Sequence, residues 1–163
     1  MGRILVQAHA ASAVRFLRQG LPPSAIDNDP SRYGLLLPPS PLFNEQDSLT
    51  DALLYLQNRL VIAFYCLATL DILGCLESAT TEHERAEWRK WLWDQQIKAA
   101  DNRGTGFRGS PYTNQPSCSQ YDPPFLIMTY AALLSLAILR DPFDRLDKPG
   151  ILQYLRTSQR EDG

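Results

Sequence analysis

The residues of this chain whose types could do chemistry are three thiols, an isolated imidazole, a glycine-rich turn and a knot of indoles. Cys66, Cys75 and Cys118 are an odd number of cysteines, and two of them sit in an apolar stretch. Reduced, buried thiols are the simpler reading, because disulfides belong to oxidising compartments. That places the chain in the cytoplasm as an expectation. His9 could ligate a metal, but no second ligand residue lies three or four positions on, so a structural role is expected. Gly104–Ser110 (GTGFRGS) resembles a phosphate cradle only loosely. No strand pattern precedes it and no Gly-Lys-Ser/Thr follows, so neither nucleotide fingerprint applies. A tight turn between helices with Phe107 tucked inward is expected instead. Trp88, Trp91 and Trp93 could form a ligand platform, yet core packing or a subunit contact explains them as well.

Composition bounds the setting for these groups. With 163 residues, 44% hydrophobic and 21% charged, the chain has material for one globular domain with a sizeable core. A net charge of -2 with no long basic run gives no electrostatic case for nucleic acid or an anionic membrane surface. Met1–Ala13 lacks the apolar core and cleavage site of a signal peptide. Val6 stands where myristoylation requires Ser or Thr. The apolar run from Leu60 meets Asp71 too soon for a transmembrane span, which needs about 20 apolar residues.

The elements that must position these groups read as helices. Residues 1–21 hold an N-terminal helix with Leu5, His9, Ala13, Phe16 and Leu17 on one side, ended by Gly20 and Pro22-Pro23. Residues 22–47 are a proline-rich insertion, including PPSP at Pro38–Pro41, with Leu35-Leu36-Leu37 pinning it to the body. A helix starts at Ser48, with Asp51 imitating a capping box, and runs into Asn58–Leu76. That stretch is apolar nearly all round, which predicts a helix that is buried or lines a cavity. Thr80 or Thr81 caps an amphipathic helix over Glu82–Gln96, with Trp88, Trp91, Leu92 and Ile97 inward and Glu84, Arg85, Glu87, Arg89 and Lys90 towards water. Lys98–Asp122 reads as loop. Phe125–Leu139 is a second apolar helix, and a last helix ends near Thr157. No strand pattern is visible.

Two of these helices repeat. Ile62–Leu73 aligns without gaps with Met128–Leu139, pairing Leu67 with Leu133, Leu70 with Leu136, Ile72 with Ile138 and Leu73 with Leu139 at an offset of 66. Lys90–Gln96 sets against Gln153–Gln159, pairing Trp91 with Tyr154 and Leu92 with Leu155. Each unit is an apolar helix, a loop, an amphipathic helix and a glycine turn. Such units stack as helical hairpins, with the apolar helix inside.

Here the residues resemble a known family. VRFL at Val14–Leu17, NRLVIAFYCLATLDIL at 58–73, GFRGS at 106–110, YDPPFLIMTY at 121–130 and LQYLRTSQREDG at 152–163 look like the N-terminal part of a protein prenyltransferase β subunit. The nearest likeness is to geranylgeranyltransferase type I. The resemblance implies an all-α fold, an α-α barrel or toroid of helical hairpin repeats, of which residues 48–163 form the first, incomplete part. It implies transfer of a geranylgeranyl group from geranylgeranyl diphosphate to a cysteine near the C-terminus of CaaX-type targets. It also implies a partner α subunit, and a zinc ion that makes the target thiol a thiolate. Four positions match the family's substrate cavity: Val61, Tyr65, Phe125 and Ile127. Farnesyl-specific relatives carry tryptophan at the first two, so the small Val61 implies room for the longer lipid. PPFLI departs from the family pattern around Phe125 and Ile127, where the last residue of the target peptide is read. Plain core packing is the alternative for all four.

The family's zinc ligands and diphosphate-binding residues fall in later repeats, and the three cysteines match none of them. The expectation is therefore a fragment inactive alone, with no catalytic residue and no metal site of its own. Exposed apolar edges and poor solubility are expected with it. The rival readings are a farnesyltransferase or Rab-type β subunit, or a non-catalytic helical interaction module.

Overall fold

In the computed structural model the described residues are 2–20, 59–109 and 123–160. The proline-rich insertion, the capping box at Ser48 and Asp51, Cys118 and the turn at Asp162-Gly163 lie outside them. Helix α1 spans Gly2–Gly20. Its buried side is Ala13, Val14 and Leu17, with Ala10 partly covered. The inward side anticipated from sequence also held Leu5 and His9, yet both are exposed. Burial is confined to the C-terminal half, where α1 lies against the next helix.

Helix α2 (Arg59–Ile72) carries no charge between its first residue and Asp71, and buries Leu60, Ala63, Leu67 and Leu70 along one stripe. That stripe meets α1 on one side and the second apolar helix on the other. Gly74, at φ +62°, closes α2: its N–H bonds to Asp71 O and the Cys75 N–H to Leu70 O, at 2.9 and 3.0 Å. This double bond satisfies carbonyls that a helix end otherwise leaves open. A single turn, α3 (Leu76–Ala79), follows. Helix α4 (Glu82–Trp93) begins at Thr81 in a reciprocal capping box with Glu84. All three tryptophans on it are at most 5% exposed, so they are core.

The amphipathic helix was expected to reach Gln96, and no strand was expected. Instead α4 stops at Trp93, and Gln96–Lys98 (β1) pairs antiparallel with Thr105–Phe107 (β2), Ile97 opposite Gly106. Three-residue strands are too short to show alternation, and Gly106 contributes no side chain to a pattern. Phe107 is fully buried, as anticipated.

Helix α5 (Leu126–Ile138) is the repeat of α2, and the repeat extends to its end. Arg140 sits at φ +57°, its N–H bonded to Ala137 O and the Asp141 N–H to Leu136 O, both at 3.0 Å. These are the bonds made at Gly74 and Cys75, displaced by the same 66 residues. Helix α6 (Lys148–Ser158) is capped by Asp147, with Pro149 in its first turn, and buries Ile151 and Tyr154. Tyr154 stands where Trp91 stands one unit earlier, and both are buried. Their neighbours differ: Leu92 is fully buried and Leu155 is largely exposed.

The segment after β2 fixes the direction of the inner pair. Gly109 O accepts from the Leu60 N–H at 3.1 Å, and Phe107 O accepts from the Phe125 N–H at 3.0 Å. The first turns of α2 and α5 are therefore held by the same three residues, so the two helices run parallel. Helix α4 returns antiparallel on the outside: Arg89 reaches Leu139 O at one end, and the Arg108 N–H bonds to Gln95 O at the other. No helix among the described residues is long and apolar enough to cross a membrane.

Candidate functional site

The four positions singled out from sequence all belong to the N-terminal halves of α2 and α5. Val61 and Tyr65 are one turn apart on α2. Val61 is half-buried against the core, while Tyr65 is 63% exposed. Phe125 is the N-cap residue of α5 and Ile127 lies in its first turn, 51% and 55% exposed. Core packing thus accounts for Val61 alone. The hold of Phe107 and Gly109 on both helix starts puts the four at the same end of the inner pair.

Two residues outside the sequence-based set complete this face. Phe64 stacks obliquely on Tyr65 at 5.4 Å between ring centres and meets Tyr130 of α5 edge-on at 5.9 Å. The aromatic chain Tyr65–Phe64–Tyr130 therefore bridges the two helices. Tyr130 follows Ile127 by three residues and Leu134 follows it by seven, which sets all three on one face of α5. That spacing was available in the sequence; the bridge depends on how α2 and α5 are rotated against each other. Ile72, two turns beyond Tyr65, extends the uncovered strip on α2 and is 84% exposed.

The surface is apolar and nearly free of charge, since α5 contains no charged residue. It can hold hydrocarbon and exclude water, and the polar groups it presents include the hydroxyls of Tyr65 and Tyr130. Cys66, half-buried on the same helix, has its thiol pushed up to about 11 by burial, so it stays neutral. The Cys75 thiol donates to Leu70 O at 3.6 Å. No three His, Cys, Asp or Glu side chains among the described residues could together hold a metal ion. These residues do not fit zinc.

The polar groups of the chain do structural work elsewhere. Thr129 bonds Phe107 to the start of α5, accepting from the Phe107 N–H at 3.0 Å and donating to Phe125 O at 2.9 Å. Asp147 accepts from Thr105 Oγ1 at 2.6 Å and from the Gly150 N–H at 3.0 Å; these bonds lower its carboxyl below the usual range. A concave cleft of about 420 Å³ lies at the far end of the inner helices, beside Gly74 and Arg140, and includes none of the four positions.

Comparison with known proteins gives this architecture a family. Residues 45–163 match the family model described as the prenyltransferase alpha-alpha toroid domain. The chain is also 32% identical over 124 residues to the protein named geranylgeranyl transferase type-1 subunit beta of Dictyostelium discoideum. That alignment covers 65% of this chain and 35% of the relative, so the chain spans about a third of the relative's length. With parallel inner helices, an antiparallel outer helix α4 and a family match over most of its length, the chain belongs to the prenyltransferase alpha-alpha toroid family.

Proposed function

We propose that the chain is part of the β subunit of a protein geranylgeranyltransferase, and that the face of α2 and α5 is a stretch of its lipid-binding wall. The observation that carries the reading is Val61. It is a small side chain, half-buried at the start of an apolar face whose neighbours Tyr65, Ile127 and Tyr130 are open. An apolar pocket measures chain length only by a clash, because an added methylene alone changes affinity by about 1–3 kcal/mol. Valine at this place supplies no clash, and so leaves room for a fourth isoprene unit. Phe125 and Ile127 serve the neighbouring end of the target peptide. An α subunit, a C-terminal CaaX cysteine and a zinc-bound thiolate complete the reaction in this reading, all outside the described residues. The work is assigned to the cytoplasm.

The test is lipid binding to the chain with Val61→Trp. The indole should lower affinity for geranylgeranyl diphosphate by about tenfold or more while farnesyl diphosphate binding persists. Competition with a fluorescent isoprenoid diphosphate reads both. Equal loss for both lipids, or no loss for either, removes Val61 from the cavity wall and the geranylgeranyl assignment with it.

A further inference from the structure

The cleft at the far end of the inner helices gathers charges of both signs. Its lining includes Arg85 and Arg89 of α4 and Arg140 at the end of α5, together with Asp71 and Glu77. Ile138 and Leu139 add apolar lining. Two of the arginines are fixed by backbone. Arg85 Nη1 donates to Thr80 O and Thr80 Oγ1, both at 2.9 Å, and Arg89 Nη1 donates to Leu139 O at 2.9 Å. Their remaining donors converge on one carboxylate, Glu82. Arg85 reaches its Oε2 through Nε at 3.1 Å and Nη2 at 2.9 Å, and Arg89 Nη2 reaches its Oε1.

The partners in this bridge are unequal. The arginine side chains are 16% and 22% exposed, whereas that of Glu82 is 66% exposed. The cations are held and half-desolvated; the anion is the loose member. An exposed carboxylate of this kind is held weakly, because solvent screens the pair. The paired guanidiniums remain in place when it leaves, because their other nitrogens are tied to carbonyls, and a preorganised fork binds carboxylate well. Arg140 stands beside them with no ion pair among the described residues. The carboxylates of Asp71 and Glu77 in the same lining disfavour a polyanion such as a phosphate chain and suit a segment that carries both signs.

We propose that this cleft docks a segment of a protein partner that presents a carboxylate beside an apolar and a basic residue, the carboxylate replacing Glu82 between Arg85 and Arg89. The inference is independent of the lipid-binding face. Its probe is a fluorescein-labelled peptide with one glutamate, one lysine and flanking leucines, followed by anisotropy against the full chain. Glu82→Ala removes the internal competitor and should tighten binding about three- to fivefold. Arg140→Glu, a change at an exposed side chain, should weaken it about tenfold. Replacing the peptide's glutamate by glutamine should abolish binding. The proposal is overturned if Glu82→Ala binds equally or less well, if Arg140→Glu has no effect, or if the glutamine peptide binds as tightly. Competition by inorganic phosphate at the peptide's own concentration overturns it too, since the cleft would then be a simple anion sink.

Discussion

At the scale of single residues, the sharpest feature is the Glu84 carboxylate. Arg18 Nε of α1 donates to its Oε1 at 2.6 Å, and the Thr81 N–H donates to its Oε2 at 2.8 Å. The hydrogen bond from Arg18, then that from the Thr81 backbone, lower its pKa from 4.5 to about 2. Because the folded value lies below the unfolded one, this stabilisation is complete above about pH 5 and is lost as pH falls towards 2. Its size is modest. Arg18 is 52% exposed, so solvent screening keeps the ion pair weak, and the capping bonds contribute about 1 kcal/mol. Glu84→Ala should therefore cost about 1–2 kcal/mol in urea unfolding at neutral pH and progressively less as pH falls from 5 towards 2. A constant penalty across that range would show that the carboxylate charge is irrelevant. Gly104 is a harder constraint. It holds φ +112°, and an added Cβ would collide with the backbone of Gly150 and Tyr154. Neither the dihedral nor backbone neighbours can yield cheaply, so Gly104→Ala should destabilise by about 2 kcal/mol or more, read as a drop in the urea midpoint.

Among elements, the β1–β2 hairpin carries more of the architecture than its length suggests. Through Phe107 and the residues after it, the hairpin fixes the starts of both inner helices, and Gly104 and Gly106 let α6 and Pro124 approach its backbone. Thr129→Val keeps the shape of a buried side chain but leaves the Phe107 N–H without its acceptor. An unsatisfied buried donor costs about 1–3 kcal/mol. Thermal unfolding should show that loss, and hydrogen exchange should show the Phe107 amide deprotected more than amides of α1. The helices were legible in the sequence because long runs speak plainly: an uncharged run of helix length at α2 and α5, Gly74 and Asp141-Pro142 at their ends, Thr81 and Glu84 at the start of α4. The hairpin was not, because three-residue strands have no period and its register comes from Thr129, Phe125 and Gly150, which are distant in sequence. The exposed half of α1 was misread for a related reason. Leu5 and His9 share a face with Leu17, but α2 reaches only the far half of that face. In the candidate site, Val61, Tyr65, Phe125 and Ile127 came from likeness to a family, and spacing gave only that Val61 and Tyr65 share a face. The bridge through Phe64 and Tyr130 follows from helix rotation, which no single helix encodes.

For the molecule as a whole, the question is what an uncovered inner face does. A helix apolar nearly all round was expected to be buried or to line a cavity, and α2 and α5 bury one stripe each and leave Tyr65, Ile72, Ile127, Tyr130 and Leu134 open. Leu152 and Leu155 on α6 are open as well. In a toroid each inner helix is flanked by the next, and here, among the described residues, α2 packs against α1 and α5, and α5 against α2, β2 and α4. Contiguous apolar surface of this kind associates, because hiding it from water gains about 25 cal/mol per Å² and no charged group on α5 has to be desolvated. The chain should therefore self-associate reversibly in sedimentation velocity, more so with added sulfate, which strengthens apolar burial. Tyr130→Lys combined with Leu134→Lys should shift the distribution towards monomer. Because neither side chain belongs to the buried core, the melting temperature of the monomer should change little, whereas a lysine at Leu136, which is fully buried, should unfold it. That contrast separates a sticky surface from a damaged fold. If the wild-type chain sediments as a single monomeric species with and without sulfate, the face is covered in solution. A lipid-binding wall on α2 and α5 would then need that cover to move before any substrate could reach Val61.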